Sequence, residues 1–489
     1  MKKQVLTFDF GASSGRAMLA KFDGETIDLT EVHRFDNNPV MLGKTFYWDV
    51  LALFHEIKQG IIKAKAYGEF SSIGIDTWGV DFGLLDKNGD LLQNPVNYRD
   101  RRTEGTAQQV SETIDLKELY NMTGVQIMEI NTLFQLYSLA QRHPELLKQA
   151  DCALLMPDLF GYFLTGKKTA EYSIASTTQM LDPAAKNWNR DLLSRLRLPA
   201  HLFPDVVPSG TVLGEVTPEI CDELGIRDVK VISVTGHDTA CAVVAAPSQE
   251  EDFIFISCGT WSLFGTELQA PVISEESRRY NITNEGGYGY TTRFLKNIIG
   301  LWLIQETRRQ YRREGYEYSY NDLEKAAVAS EAFRYFIDPN APEFVAPGNI
   351  PERIRAYCVR TGQGAPQTVG EIMRCIYESL AMTYRHTMEQ IQDCTGKKYR
   401  QIHMIGGGTK DNLLCSMTAN AAGCKVVAGP IEATAMGNSA VQLMAQGAIR
   451  DLRQARQIVA RSFQTIEYLP ENTADWDEAY RRFCTTIEK

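Results

Sequence analysis

Three stretches of the chain combine residue types that can handle a phosphoryl group. The first follows an apolar run at residues 5–8 and Asp9, and reads Gly11-Ala12-Ser13-Ser14-Gly15-Arg16. Its small residues leave backbone N–H groups unobstructed, and with two hydroxyls and Arg16 they can cradle phosphate oxygens, while Asp9 can hold Mg²⁺ through water. Neither a G-x-x-x-x-G-K-[ST] loop nor a G-x-G-x-x-G turn occurs here, so P-loop and dinucleotide-binding readings lose their usual support. The second stretch is Gly236-His237-Asp238-Thr239-Ala240, delivered by an apolar strand at residues 231–235. A carboxylate at such a strand end can act as a general base; Asp238 can equally cap a helix that starts at Thr239. The third is Gly406-Gly407-Gly408, which permits close backbone approach to a flat ligand such as adenine or ribose, with Asp411 and Asn412 placed to cap the next helix. A helix across residues 432–440 carries small residues at helical spacing, which suits tight packing beneath such a site.

The elements that must position these residues follow from periodicity. Residues 5–8 and 17–22 read as strands flanking the Gly-Ser turn, and residues 72–76 as a short buried strand after a helix at 50–67. The pattern then recurs: a strand at 253–257, the turn Gly259-Thr260-Trp261-Ser262 and a returning strand at 263–268. Each hairpin is followed, after helical sequence, by a buried strand running into glycine, at Ile73-Gly74-Ile75-Asp76 and at Ile402 through Gly408. Two half-chains of one design are expected. The polar, proline-bearing segment 246–252 is the boundary and a candidate hinge, giving lobes of 1–246 and 247–489 with a cleft between them. A long helix at 371–392 has a packing face, and residues 472–489 read as a surface helix.

Composition narrows the class. The 489 residues are 44% hydrophobic and 23% charged, an ordinary globular balance with room for two to four domains. Sixty-one acidic against 51 basic residues leave a net charge of −10, which disfavours nonspecific attraction to nucleic acid or anionic lipid. The opening MKKQVLTFDF has an apolar run too short for a secretory or spanning segment, and no later stretch reaches 18 apolar residues. Ten scattered cysteines without a C-x-x-C read as reduced thiols, and the seven histidines form no metal-binding motif. A cytoplasmic protein without nucleic-acid or membrane partners is expected.

Asp9 with its Gly-Ser turn, the Gly-His-Asp-Thr-Ala segment, Ser257 through Ser262, the three glycines and the 432–440 helix together resemble the FGGY family of carbohydrate kinases, nearly end to end. The resemblance implies an α/β fold of two ribonuclease-H-like lobes, akin to actin and hexokinase, with sugar, phosphate and base in the first and nucleotide in the second. Gly74-Ile75-Asp76-Thr77-Trp78-Gly79-Val80-Asp81-Phe82, Asn97-Tyr98-Arg99-Asp100, Asn281 through Gly287 and Leu295 through Trp302 look most like the branch acting on L-rhamnulose. That implies transfer of the ATP γ-phosphoryl group to the sugar's 1-hydroxyl. The alternatives are another ketose or polyol (L-fuculose, xylulose, ribulose), or a non-catalytic, actin-like nucleotide sensor.

Carried over by resemblance, Ala12, Ser13, Ser14, Gly15, Arg16 and Thr260 would meet ATP phosphates, with Gln305 and Gly407 near the nucleotide and Asp9 supporting Mg²⁺. Gly79, His237, Asp238, Thr239 and Asn297 would contact the sugar, Asp238 as general base, with Trp78 and Asp81 as neighbours. One departure stands out: at Asn131-Thr132-Leu133-Phe134-Gln135-Leu136 many family members carry a lysine-led segment, and this chain has no lysine.

Overall fold

The computed structural model describes residues 3–250 and 252–488. Glu251, in the segment expected as boundary and hinge, and Lys489, at the end of the expected terminal helix, lie outside the described residues. The chain divides into two compact units that are discontinuous in sequence. Unit 1 takes residues 1–249, 267–294 and 433–463, and unit 2 takes 250–266, 295–432 and 464–489. Two later segments therefore rejoin unit 1, a return that a two-way cut of the sequence does not express.

Unit 1 is built on a six-stranded sheet. Its strands are β1 (Lys3–Phe10), β2 (Ser14–Phe22), β3 (Ile27–Asp36), β4 (Ser72–Thr77), β5 (Thr211–Glu215) and β6 (Lys230–Ser233), in the order β5-β6-β4-β1-β2-β3. The first hairpin is longer than hydropathy indicates, because pairing continues through polar residues, Asp9 opposite Arg16 and Phe10 opposite Gly15. β4 and β6 then add in parallel to β1, with Asp9 level with Asp76.

Unit 2 repeats the plan on a seven-stranded sheet, six of whose strands are β7 (Ile254–Cys258), β8 (Trp261–Leu268), β9 (Thr292–Ile299), β10 (Gln401–Ile405), β11 (Lys425–Ala428) and β12 (Ile466–Tyr468), in the order β9-β8-β7-β10-β11-β12; the seventh, Thr283–Gly286, belongs to a segment that unit 1 takes. Again an antiparallel hairpin, β7 with β8, is extended by a parallel strand on its first member, with Ser257 level with Ile405. The duplication expected from short motifs is thus a duplication of topology, the ribonuclease-H-like arrangement. The long helix extends over Val369–Thr395 with a Thr368–Glu371 capping box, and the terminal helix Thr473–Ile487 buries Trp476, Ala479, Tyr480 and Phe483. Among the described residues no helix is long and apolar enough to cross a membrane, and no cysteine is bridged in a disulfide.

Period-two alternation decides what covers the unit 1 sheet. Leu6, Phe8, Phe10, Ile73 and Ile75 belong to one apolar core with helix α1 (Val50–Ala64), supplied by Leu53, Ile57 and Ile61. The opposite side of β1 and β4 presents Thr7, Ser72, Gly74 and Asp76 to α3 (Ala433–Ala445), in one of the segments that return to unit 1. The seam is polar and fully buried. Thr7 Oγ1 lies 3.0 Å from Ser439 Oγ, Ser72 Oγ donates to Gln442 Oε1 at 2.6 Å, and Gln442 Nε2 donates to the Leu6 carbonyl at 3.1 Å. Asn438 Nδ2 donates to Asp76 Oδ2 at 2.6 Å. Gly74 makes room for these amides, since a Cβ there would sit 2.4 Å from Asn438 Oδ1.

The small residues at 432–440 do serve close helix packing. They pack in unit 1 against α2 (Asp238–Val244), where a Cβ on Gly437 would lie 1.8 Å from the Cys241 carbonyl oxygen. Tertiary proximity, not local sequence, assigns this helix to Asp238. Gly437→Ala should push α2 outward, lower stability by about 1–3 kcal/mol through overpacking and reduce turnover; urea denaturation beside a kinase assay checks both, and an unchanged midpoint would contradict the packing.

Candidate active site

In open parallel sheets, ligands bind outside the carboxyl ends of the strands. In unit 1 those ends carry Asp9 on β1, Asp76 on β4 and His237-Asp238 just after β6. Backbone bonds tie them together, as Trp78 N–H donates to the Phe10 carbonyl at 3.2 Å and Thr77 N–H to the Gly236 carbonyl at 2.9 Å. Both Nε and Nη2 of Arg16 donate to Asp9 Oδ2, at 3.0 and 2.7 Å, so the expected phosphate contact and the expected magnesium support form one ion pair. The Gly11-Ala12-Ser13 bend closes through Gly11 N–H to the Ser14 carbonyl, 2.9 Å, and is braced by buried Asn37, whose Nδ2 donates to the Gly11 carbonyl at 2.9 Å. Ser13 is exposed, while Ala12 and Ser14 are half-buried.

Asp76 is fully buried, and burial first, then the charge of Asp9, pushes its carboxyl well above the ordinary range. Its Oδ1 has no hydrogen-bond partner. Asp238 is the first residue of α2, and its side chain remains about 33% exposed. Its Oδ1 accepts from the backbone N–H of Thr239 and from Thr239 Oγ1, the latter at 3.2 Å, but the helix begins at Asp238 itself with His237 in the N-cap position and no side-chain cap, so Asp238 does not cap a helix starting at Thr239. Burial raises the Asp238 carboxyl and Asp9 adds to the rise, while His237 opposes it. A carboxylate of raised basicity with an open side suits proton removal from an alcohol.

The turn after β4 is strained and over-determined. Val80, a β-branched residue, holds φ 67°, a region such residues rarely enter. Its N–H donates to Thr177 Oγ1 at 3.1 Å, and its carbonyl accepts from Thr132 Oγ1 at 2.6 Å. Half-buried Gly79 precedes it. Asp81 follows, buried, with Oδ2 accepting from Trp48 Nε1 at 2.6 Å, Trp78 Nε1 at 3.0 Å and the Tyr98 N–H at 3.2 Å. Its Oδ1 accepts from Gln135 Nε2 at 2.9 Å, and Gln135 Oε1 takes Arg102 Nη2 at 2.6 Å. The segment that lacks the family's lysine therefore supplies Thr132 and Gln135 to this turn. Trp78 is buried against Trp48, ring centroids 4.2 Å apart, and its indole N–H serves Asp81.

In unit 2 the Gly259-Thr260-Trp261 bend closes through Gly259 N–H to the Trp261 carbonyl at 2.8 Å. It is anchored by the N–H groups of Gly300, Leu301 and Trp302 donating to the Thr260, Gly259 and Thr260 carbonyls at 3.2, 3.0 and 3.1 Å. Half-buried Gln305 lies one turn along the helix Trp302–Arg313, and half-buried Asn297 lies on β9. The strand β10 ends in Gly406, and the turn Gly407–Lys410 leaves Gly407 exposed with nothing within 4 Å of where a Cβ would stand. Gly408 instead abuts Cys258 Sγ. Asp411 caps the following helix, accepting the Leu414 N–H at 2.9 Å.

Local sequence carried no sign of Asn37, Trp48, Gln135, Asn438, Glu285 or Arg293, because each acts across a long separation. Glu285 and Arg293 are buried beside His237, with Arg293 Nη2 3.0 Å from His237 Nδ1. Among the described residues no three His, Cys, Asp or Glu side chains form a metal cage. The hard carboxylate oxygens of Asp9, with the unpartnered Oδ1 of Asp76 level with it, nevertheless fit a cation such as Mg²⁺ that keeps most of its waters.

Residues 4–245 match the N-terminal domain, and residues 254–446 the C-terminal domain, of the FGGY family of carbohydrate kinases. The chain belongs to this family. It is 42% identical over 488 residues, covering 100% of both chains, to the rhamnulokinase of Bacteroides thetaiotaomicron, and 39% identical over 482 residues, 98% of each, to that of Bacillus subtilis. Its fold matches the solved xylulose kinase of Lactobacillus acidophilus (TM-score 0.82, 17% identity, 99% of this chain and 97% of that one). It also matches the Plasmodium falciparum glycerol kinase solved with ADP (TM-score 0.78, 14% identity, 99% and 98%).

The Asp81 cluster makes a pH prediction. Burial, opposed by its hydrogen bonds to Trp48, Gln135 and Trp78, pushes this carboxyl up to about 6. The folded state thus holds the proton more tightly than the unfolded chain, so this group's contribution to stability is complete below about pH 4 and is lost as pH rises through about 6. Indole fluorescence should show a protonation step near pH 6 that Asp81→Asn removes; persistence of the step in that variant would place its origin elsewhere.

Proposed function

We propose that this chain transfers the γ-phosphoryl group of ATP to the 1-hydroxyl of L-rhamnulose, in the cytoplasm, as a step of rhamnose breakdown. The observation that carries the chemistry is the half-open, raised carboxylate of Asp238 beside Asp9 at the carboxyl ends of parallel strands. Choice of the sugar is supported by full-length identity of about 40% to rhamnulokinases of several bacteria.

Phosphoryl transfer passes through a loose transition state, so alignment and charge neutralisation matter most, and the acceptor proton leaves late. In this reading Asp238 takes that proton, while Gly79, His237, Thr239 and Asn297 orient the ketose. The N–H groups and hydroxyls of Ala12, Ser13, Ser14 and Gly15, with Arg16, meet phosphate oxygens, and Arg16 exchanges part of its pairing with Asp9 for them. Thr260 contributes to the same phosphates, and Gln305 and Gly407 lie against the nucleotide. Asp9 would hold Mg²⁺ through water, and the ion supplies charge neutralisation at the nucleotide oxygens.

General-base assistance is worth about 10²–10⁴-fold in rate, so Asp238→Asn should lose kcat by that order with a smaller change in sugar affinity. Coupled ADP release across L-rhamnulose, L-fuculose, xylulose and ribulose checks the substrate. A higher kcat/KM for another ketose would overturn the sugar assignment, and near-normal turnover of Asp238→Asn would remove that residue from the role.

A further inference from the structure

His237 precedes the proposed base and has a charged group at each edge of its ring. On one side Nε2 lies 3.4 Å from Asp238 Oδ1. On the other, Nδ1 lies 3.0 Å from Arg293 Nη2 and 3.4 Å from Glu285 Oε2. Arg293 is fully buried; its Nε donates to the Gly286 carbonyl at 2.7 Å, and Nη2 is 3.1 Å from Glu285 Oε2. The strand bearing Glu285 and Gly286 is docked in unit 1 by Gly286 N–H to Ser176 Oγ at 2.6 Å, so the guanidinium is held from several directions. The backbone of the base loop is fixed as well: Glu171 Oε2 accepts the Gly236 N–H at 2.9 Å, and Ser173 Oγ the His237 N–H at 3.3 Å.

The two tautomers of a neutral imidazole can be separated here. A guanidinium has no lone pair to accept with, so a contact at 3.0 Å is favourable only if Nδ1 is bare and accepts. A proton on Nδ1 would point toward Glu285 at the longer distance, and it would set N–H against N–H at the shorter one. A doubly protonated ring would add a second positive charge beside a buried guanidinium. Of the other charged groups, Asp9 acts on Asp238 and Glu171 lies against the backbone of the same loop.

We propose that Arg293, neutralised by Glu285, is a positioning residue that holds His237 neutral with its proton on Nε2, so that an N–H donor and not a lone pair faces Asp238 and the sugar. The reading of Asp238 as base underlies the catalytic consequence, but the tautomer itself does not depend on it. A donor on Nε2 steadies the carboxylate without removing its charge, leaving its free lone pairs for the acceptor hydroxyl. Were the tautomer reversed, His237 backed by Glu285 would itself be the competent base.

The test is nitrogen NMR of the full chain labelled with ¹⁵N-histidine, with His237 assigned by its loss in His237→Gln. The expected spectrum has a pyrrole-type Nε2 and a pyridine-type Nδ1 from about pH 5.5 to 8. A pyrrole-type Nδ1, or a ring that gains a proton in that range, overturns the proposal. In Glu285→Gln/Arg293→Met, which removes both charges together, His237 should titrate, kcat should fall about 10- to 100-fold and its pH profile should gain an acid limb, with KM for ATP within about twofold. Arg293→Lys should not rescue, because one ammonium cannot replace the bond to Gly286 and the bond to Nδ1 in a fixed geometry. An unchanged kcat and profile in the double variant would refute the positioning role, and the wild-type spectrum decides the tautomer even if that variant does not fold. In Asp238→Asn the Nδ1 contact should persist, so loss of the base assignment and loss of the tautomer lock are told apart.

Discussion

Three aspartates, Asp9, Asp76 and Asp238, stand near one another at the carboxyl ends of adjacent parallel strands; Asp9 raises the cost of ionising both of the others, and Asp238 that of Asp76. Much of unit 1 answers that repulsion, with a different device for each acid. Asp9 is held by a two-pronged contact with Arg16. Asp76, fully buried, is driven toward its neutral form and receives one amide donor from Asn438. Asp238 keeps part of its surface open and has His237 beside it. One acid is paired, one is pushed toward its neutral form and one stays partly open, so the three carboxylates sit in three different environments.

That division constrains elements far from the acids in sequence. The helix Ala433–Ala445 must bring Asn438 to Asp76 and Gln442 to the backbone of β1, and it can approach only because Gly74 and Gly437 lack side chains. The strained Val80 turn is secured by Thr132 and Thr177, and Asp81 next to it gathers two indoles, a backbone N–H and an amide. Strain of this kind persists only where surrounding bonds over-determine it. The turn at Gly79-Val80-Asp81 therefore rests on backbone fixed from several sides.

Several parts were legible before any coordinates. The two Gly-Ser hairpins announce themselves because glycine and small polar residues are needed where a strand reverses; three of their four strands are longer than hydropathy indicates, and the strand expected at 253–257 is shifted by one residue to Ile254–Cys258. Asp238 was visible because an apolar strand delivers it, and Asp411 because a helix begins just after it. The partners of these residues were not. Arg293 reads as an interruption of an apolar strand until it is seen 3.0 Å from an imidazole 56 residues away, and Asn438 looks like a helix-surface amide until it meets Asp76 across 362 residues. The small residues at 432–440 signal a packing helix, and only the structure shows that Cys241 is what Gly437 packs against, since small residues report closeness without saying to what.

The sequence alone determined the repeating strand-turn-strand plan, the helix boundaries marked by capping residues and the types of groups available for chemistry, because backbone preferences and side-chain periodicity act between near neighbours along the chain. Tertiary structure alone decided which acid is paired, which is pushed toward its neutral form and which is open, and which edge of His237 meets a cation. Burial and charge act through distances in space, and those are set only when remote strands and a returning helix close around the same few carboxylates.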